Sequence, residues 1–237
     1  MAHSTDEERP VAVEPVAELR AMLRERPPMV RELPSFDPER APAEPAPLFV
    51  DWLLEALRAG VPDAQLVTLA TVAADGGPDA RVVVLRDVEA EAGLWWFLGD
   101  SRSPKGRQLA AVPRAALTAY WPAFGRQVRV RGSVSTADPV RTAAAFRAAS
   151  PAARIAALVG RQSELLTGAA QFEEAWDAAR QTLAEDPAVV APGHTLYAVR
   201  AEQVEFWQGA ADRRHVRLCY QRDAGGEGGW RRGLLWP

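Results

Sequence analysis

Residues 66–98 read LVTLATVAADGGPDARVVVLRDVEAEAGLWWFL, and the fold turns on how this stretch is divided. Leu66–Ala73 and Arg81–Leu85 are rich in aliphatic and β-branched residues, and Asp75-Gly76-Gly77-Pro78 between them is turn chemistry. The pair reads as a β-hairpin, and Leu94–Leu98 (LWWFL) reads as a third strand. Arg81–Leu85 is apolar on both faces after its first residue, so it is expected to be buried on both sides, in a barrel wall or a subunit interface. A second hairpin, Ala115–Trp121 and Gln127–Ser135, surrounds Pro122–Gly125, and strands at Thr195–Phe206, Val216–Arg222 and Trp230–Leu235 close the chain. Helical periodicity falls at Leu48–Ala59, Lys105–Ala111, Pro139–Ala149, Ala152–Val159 and Ala169–Leu183, with Pro187–Gly193 as a break. Antiparallel hairpins with inserted helices predict a small β-barrel decorated by helices, mainly β or α+β.

Residues 1–46 differ in texture. They are rich in proline and charge, with one amphipathic helix expected at Val13–Arg26, and form an arm that is either mobile or laid across a partner. Residues 47–237 read as a single domain. The composition, 48% hydrophobic and 25% charged over 237 residues, fits one sizeable core. No apolar run approaches the roughly 20 residues of a membrane span. The acidic start lacks the apolar stretch of a secretory leader, so a cytoplasmic protein without membrane contact is expected. Cys219 is the single cysteine and His3, His194 and His215 are the only histidines, which argues against disulfides and structural zinc. A net charge of −3 argues against nucleic-acid binding.

Of the 28 basic residues, Lys105 alone is lysine. Either a coding bias toward arginine spared it by chance, or position 105 needs an ammonium. It lies in Ser101-Arg102-Ser103-Pro104-Lys105-Gly106-Arg107, which follows a strand and opens a helix. Ser103 is a good N-cap and Pro104 a good first helical residue. Cations in a first helical turn are unfavourable unless an anion offsets them, so this segment reads as a phosphate site rather than an ordinary capped surface helix. Arg213-Arg214-His215-Val216-Arg217, if extended, places Arg213, His215 and Arg217 on one face, to meet an anion or simply to blunt an edge strand. In Arg126–Arg131, Val128 and Val130 face inward and Gln127 faces out, toward a heterocycle edge or toward solvent. Arg161-Gln162-Ser163-Glu164 is a polar turn in which Ser163 could cap the next helix.

Together and in this order, Arg81–Arg86, Lys105-Gly106-Arg107, Arg126-Gln127-Val128, Arg161-Gln162-Ser163, Glu205-Phe206-Trp207-Gln208-Gly209 and Arg213, His215 and Arg217 resemble the pyridoxamine 5'-phosphate oxidase family of flavin enzymes, over about residues 46–237. The resemblance implies an FMN-binding split β-barrel, an antiparallel Greek-key barrel with peripheral helices. It also implies a homodimer with FMN between subunits, a small-molecule substrate and O2 as acceptor. Cofactor contacts carry over to Arg81, Val82, Lys105, Gln127, Gln162, Ser163, Trp207 and Arg217. The family's tyrosine–threonine pair falls on Phe97 and Leu98, and its arginine beside the lysine on Arg102, with Arg107 the alternative. The family's substrate-phosphate ligands fall on Ala145, Ala149, Ala153 and Arg86, so three of them are alanine here, while the substrate-facing pair Arg213 and His215, the expected catalytic residues, is retained. Loss of that phosphate grip resembles the family's phenazine-biosynthesis branch, which also has an Arg-Gln-Ser-Glu stretch. The implied activity is FMN-dependent oxidation of a reduced aromatic, heteroaromatic or amine substrate, giving hydrogen peroxide. The rivals are a pyridoxamine or pyridoxine 5'-phosphate oxidase with an altered grip, a non-catalytic flavin-binding protein, and a deazaflavin-dependent reductase.

Overall fold

The structure is a computed structural model and describes residues 13–223 and 229–237. Eight antiparallel strands form one sheet in the order β3-β2-β1-β4-β5-β6-β7-β8. They are β1 (Leu66–Val72), β2 (Pro78–Glu89), β3 (Leu94–Asp100), β4 (Arg114–Trp121), β5 (Arg126–Thr136), β6 (His194–Gln208), β7 (Val216–Arg222) and β8 (Trp230–Leu234). An additional pairing of β3 with the first half of β6, from Leu94↔Arg200 to Asp100↔His194, closes six strands into a barrel and leaves β7 and β8 as an extension. β6 serves both parts because it is 15 residues long. Where β5 crosses it, a bulge falls at Arg131/Gly132, and a Cβ at Gly132 would lie 1.8 Å from the carbonyl oxygen of Arg200, so only glycine fits.

The core follows from strand alternation. Trp95 and Phe97 of β3, Trp121 of β4, Val128 and Val130 of β5, and Val204 and Phe206 of β6 are fully enclosed. Helix α2 (Pro45–Arg58) caps this interior, with Phe49 edge-on to Trp95 at 5.8 Å and Trp52 edge-on to Phe206 at 5.2 Å. Beneath it, the buried Arg126 guanidinium lies 4.5 Å over Trp52 and pairs with Glu55 at 2.5 Å.

Within the single chain, the strand buried on both faces is β3, not the Arg81–Leu85 stretch of β2. The outer residues Leu94 and Trp96 of β3 pack with Leu196, Ala198 and Ala145 in a second apolar cluster. In β2, Val83 and Leu85 are buried, but Val82 on the other face is 60% exposed. That face borders a cleft.

The remaining helices are α1 (Val13–Glu25), α3 (Pro104–Ala111), α4 (Pro139–Arg147), α5 (Pro151–Val159) and α6 (Ala169–Glu185). Aspartate or serine caps α3, α4 and α5, each with proline in the first turn. Between α1 and α2 the chain contacts the β7–β8 extension of its own sheet. The Pro42 carbonyl accepts from the Tyr220 hydroxyl at 2.8 Å, and the Ala41 carbonyl accepts from Arg232. Among the described residues no helix is long and apolar enough to cross a membrane, and no metal-ligating cluster forms.

Candidate functional site

The end of β3, helix α3, the outer face of β2 and helices α4 and α5 enclose a cleft of about 640 Å³. Its cationic end is built by the α3 cap. The Ser103 hydroxyl accepts from the Gly106 amide at 3.3 Å and donates to the Asp100 carbonyl at 2.6 Å. A Cβ on Gly106 would lie 2.4 Å from the Ser101 carbonyl oxygen, so glycine lets the first turn pack directly on the preceding loop. Lys105 is thereby turned inward and is only 8% exposed. Its ammonium donates to the Ser103 hydroxyl at 3.2 Å and to the Gln162 side-chain carbonyl, both neutral. No ion pair among the described residues involves it. Burial pushes its pKa below the ordinary lysine value, the Arg81 guanidinium adds to this, and Asp100 opposes it.

Arg81 is the second cation of the cleft. Its guanidinium donates to the Thr71 hydroxyl at 2.5 Å and to Gln108 Oε1 at 3.1 Å, and pairs with Asp79 at 2.5 Å. Gln108, one turn beyond Lys105 on α3, also donates to Asp79 at 2.9 Å. A lysine without a carboxylate partner, a fixed arginine and the positive end of an eight-residue helix therefore converge here. This donor set fits the phosphate of a cofactor such as FMN.

A second group lies on the outer face of β5–β6–β7. Gln127, Trp207 and Arg217 are register neighbours on three adjacent strands and so form a row. Arg217 donates to Glu205 Oε1 at 2.8 Å and to the Trp236 carbonyl at 2.9 Å, and Arg129 pairs with the same buried Glu205 at 2.5 Å. The His215 ring lies 4.9 Å from that of Trp207, and its Nδ1 accepts from the Ala210 amide at 3.0 Å. Arg213 departs from the expected alternation. It precedes β7 in a turn with φ of 68°, so strand periodicity does not align it with His215 and Arg217. None of Gln127, Trp207, Arg213, His215 or Arg217 lines the cleft. Within one chain, the expected site residues form two separate groups.

The other expected residues divide as well. Val82, Arg86, Leu98, Gln162, Ser163, Ala149 and Ala153 line the cleft with Arg81 and Lys105. Ser163 does not cap the next helix. It holds a left-handed backbone, φ 69°, and Gly168 stands at the N-cap of α6. Phe97 points into the core and stacks on Tyr197 at 5.3 Å, so its side chain is not a cleft residue. Ala145 packs on the outer cluster of β3 instead of the cleft. Arg102 is bound to Asp100 by contacts of 2.7 and 3.0 Å, and Arg107 reaches back to the Arg102 carbonyl, so neither lines the cleft. Those contacts hold Asp100 ionised below the ordinary carboxylate range, although burial pushes the other way.

Three residues in or behind the cleft were not singled out by the sequence. Thr71 and Gln108 look like ordinary strand and helix residues until the fold brings them to Arg81. His194, the first residue of β6, borders the cleft beside Phe146. Being one of only three histidines and following Pro192-Gly193 was the one available hint.

A family model described as pyridoxamine 5'-phosphate oxidase matches residues 53–208, and a second, described as the pyridoxine 5'-phosphate oxidase C-terminal dimerisation region, matches residues 194–237. The chain belongs to the pyridoxamine 5'-phosphate oxidase family, whose split-barrel fold it shares. A pyridoxine/pyridoxamine 5'-phosphate oxidase of Burkholderia multivorans is 38% identical over 204 residues, covering 86% of this chain and 94% of that protein. One of Thermosynechococcus vestitus is 37% identical over 198 residues, covering 83% and 90%. Among solved structures, PhzG from Burkholderia lata, in complex with tetrahydrophenazine-1-carboxylic acid, superposes with a TM-score of 0.76 at 26% identity, covering 87% of this chain and all of that one.

Proposed function

We propose that this protein is a homodimeric FMN-dependent oxidase that dehydrogenates a reduced fused-ring heteroaromatic or amine substrate lacking a phosphate, as part of specialised, phenazine-like metabolism. The observation that carries this reading is the α4–α5 wall of the cleft. It presents Phe146, Ala149, Ala153, Ala156 and Ala157, whereas the cofactor end keeps its cations. The three arginines of α4 and α5 are engaged elsewhere: Arg141 pairs with Glu89 at 2.5 Å and with Asp87 at 3.3 Å, Arg147 donates to the Ala188 carbonyl at 3.4 Å and Arg154 to the Pro187 carbonyl at 2.5 Å. A substrate phosphate placed there would lose charge-assisted hydrogen bonds of about 1.5–3 kcal/mol each. Arg86, which also lines the cleft, suffices for a carboxylate.

Arg81, Lys105 and the free amides of α3 would hold the FMN phosphate. Gln127 and Arg217 would donate to the isoalloxazine edge, with Trp207 packed beside it. These groups lie apart in one chain, and the match to a dimerisation region supports a site completed by a second copy. FMN supplies the hydride acceptor; the substrate loses two hydrogens, and O2 takes both electrons and both protons to become hydrogen peroxide. Arg213 would lie over the substrate from the second group of residues. His215 would orient the substrate: its Nδ1 accepts from the Ala210 amide, which leaves Nε2 as the nitrogen that offers a donor.

The names of the relatives favour a second reading, oxidation of pyridoxine or pyridoxamine 5'-phosphate. Oxygen uptake separates the two. The FMN-loaded protein is expected to consume oxygen with tetrahydrophenazine-1-carboxylic acid and to be slow with pyridoxine 5'-phosphate. Micromolar KM and full turnover on the latter would overturn the first reading. The spectrum of flavin released on denaturation checks FMN itself.

A further inference from the structure

The segment that follows β8 carries apolar side chains that none of the described residues covers. Leu234 is exposed, and the Trp236 side chain is 92% exposed. Its main chain is nevertheless fixed. The Leu235 amide donates to the Arg217 carbonyl at 2.9 Å, and the Trp236 carbonyl accepts from the Arg217 guanidinium at 2.9 Å. Trp236 is thereby carried to the end of the Gln127–Trp207–Arg217 row. An aromatic side chain buries about 150–250 Å² when it packs, so a fixed backbone that presents an indole to water implies a surface to receive it. A second uncovered apolar pair borders the other half of the site. Leu165, 93% exposed, and the exposed Leu166 stand two and three residues after Ser163 of the cleft. The match to a dimerisation region spans residues 194–237 and so includes Trp236.

We infer that Trp236 of one protomer packs on the partner's Leu165 and Leu166 and so closes the rim of the partner's cleft over the bound cofactor. This rests on the proposed function, which joins the row of one protomer to the cleft of the other, and it adds a positioning residue to that composite site. Each apolar patch flanks one half of the site, so bringing the halves together brings the patches together. A twofold dimer makes the contact twice, each chain giving its indole and receiving its partner's. The cleft itself has no large side chain to shut out water at this rim. Its wall beside the leucines is alanine, and Ala153 and Ala156 are exposed. An indole supplied by the second copy provides that cover. Arg217, which holds the Trp236 segment, is itself held by Glu205 at 2.8 Å, so the cover is tied to the guanidinium that would meet the flavin edge.

The test is FMN affinity, read by flavin fluorescence quenching at protein concentrations where sedimentation shows the dimer. Trp236→Ala is expected to bind FMN about tenfold more weakly. Trp236→Phe keeps a flat ring and is expected to stay within about threefold of the parent. Leu166→Ser should reproduce the loss, and the double variant should lose no more than either single one, because the same contact is removed once. The decisive measurement is complementation in a mixed dimer of Trp236→Ala and Lys105→Met chains. If Trp236 acts on the partner's cleft, one site carries both defects and the other carries neither, and one FMN per mixed dimer binds with parent affinity. If Trp236 serves its own cleft, each site carries one defect and no parent-affinity site appears, which overturns the inference. Parent-like FMN binding by Trp236→Ala also overturns it and leaves the FMN-dependent dimer standing. A parent protein that holds FMN as a monomer overturns both.

Discussion

Replacing Lys105 by methionine is expected to move two properties in opposite directions. The ammonium is 8% exposed, its partners Ser103 and Gln162 are neutral, and burial together with Arg81 lowers its pKa. Without cofactor the charge therefore opposes folding. The sign of the pH dependence follows. A lysine whose folded pKa lies below its ordinary 10.5 is protonated more readily in the unfolded chain. The FMN-free protein should gain stability from this group as the pH rises from the folded pKa toward 10.5 and lose it again below. Methionine has a similar length, fills the same channel and removes the penalty, so the melting temperature of the FMN-free variant should hold or rise. With a phosphate in the cleft the ammonium becomes half of a charge-assisted hydrogen bond of about 1.5–3 kcal/mol. Its loss should weaken FMN about 10- to 150-fold, measured by flavin fluorescence quenching. Lys105→Arg keeps the charge, yet it should also lose affinity. The lysine stem runs so close to Gly99 that a Cβ there would lie 3.1 Å from Cε, and a forked guanidinium needs more room. FMN affinity within threefold of the parent in both variants would refute the assignment of this cleft to the phosphate.

Other outcomes are open to direct measurement. Arg213→Gly releases a left-handed arginine, φ 68°, and should leave the melting temperature unchanged or higher while abolishing turnover; a large drop in stability would mean that Arg213 is structural. Ala149→Arg returns a cation to the cleft wall and should lower KM for pyridoxine 5'-phosphate about tenfold without weakening FMN, by steady-state oxygen uptake. Glu205→Gln leaves Arg129 and Arg217 facing each other without the buried carboxylate between them; urea unfolding should show a loss of about 2 kcal/mol, moderated by the partial exposure of both guanidiniums. The depressed pKa of His194 means that its contribution to stability is present above 6.5 and lost as the pH falls below it, and His194→Phe should remove that part of the acid loss in melting curves between about pH 5.5 and pH 7.5, one unit either side of an ordinary histidine.

Legibility of the sequence tracked the range of the interaction. Ser103-Pro104 announced the start of α3 because capping is decided within four residues, and the hairpin at Asp75–Pro78 announced β1 and β2 for the same reason. Burial was less readable. Arg81–Leu85 and Leu94–Leu98 are equally apolar as text, but only the second is covered on its outer face, by α4 residues that lie some 45 positions away in the chain. The site residues were harder still. Periodicity placed Arg213, His215 and Arg217 on one strand face, yet the strand begins at Val216 and Arg213 sits in a left-handed turn before it. Nothing local marks Gln108 as the residue that holds Arg81, because the contact depends on how α3 lies on β1 and β2.

The separation of the two groups of residues has a physical consequence. On the proposed reading, the cleft side carries the cations that would hold a phosphate, and the β5–β6–β7 row carries the amide, indole and guanidinium that would meet a planar ring edge. A dimer that joined the two groups would couple cofactor affinity to protomer concentration. Dilution should therefore release FMN and monomer together, and a variant that weakens only the dimer should lose flavin while Lys105 and Arg81 remain untouched. Sedimentation velocity read at both the protein and the flavin wavelengths follows the two events at once. Flavin retained on a monomer would show that the cleft of a single chain holds it, and the row on the sheet would then need another role.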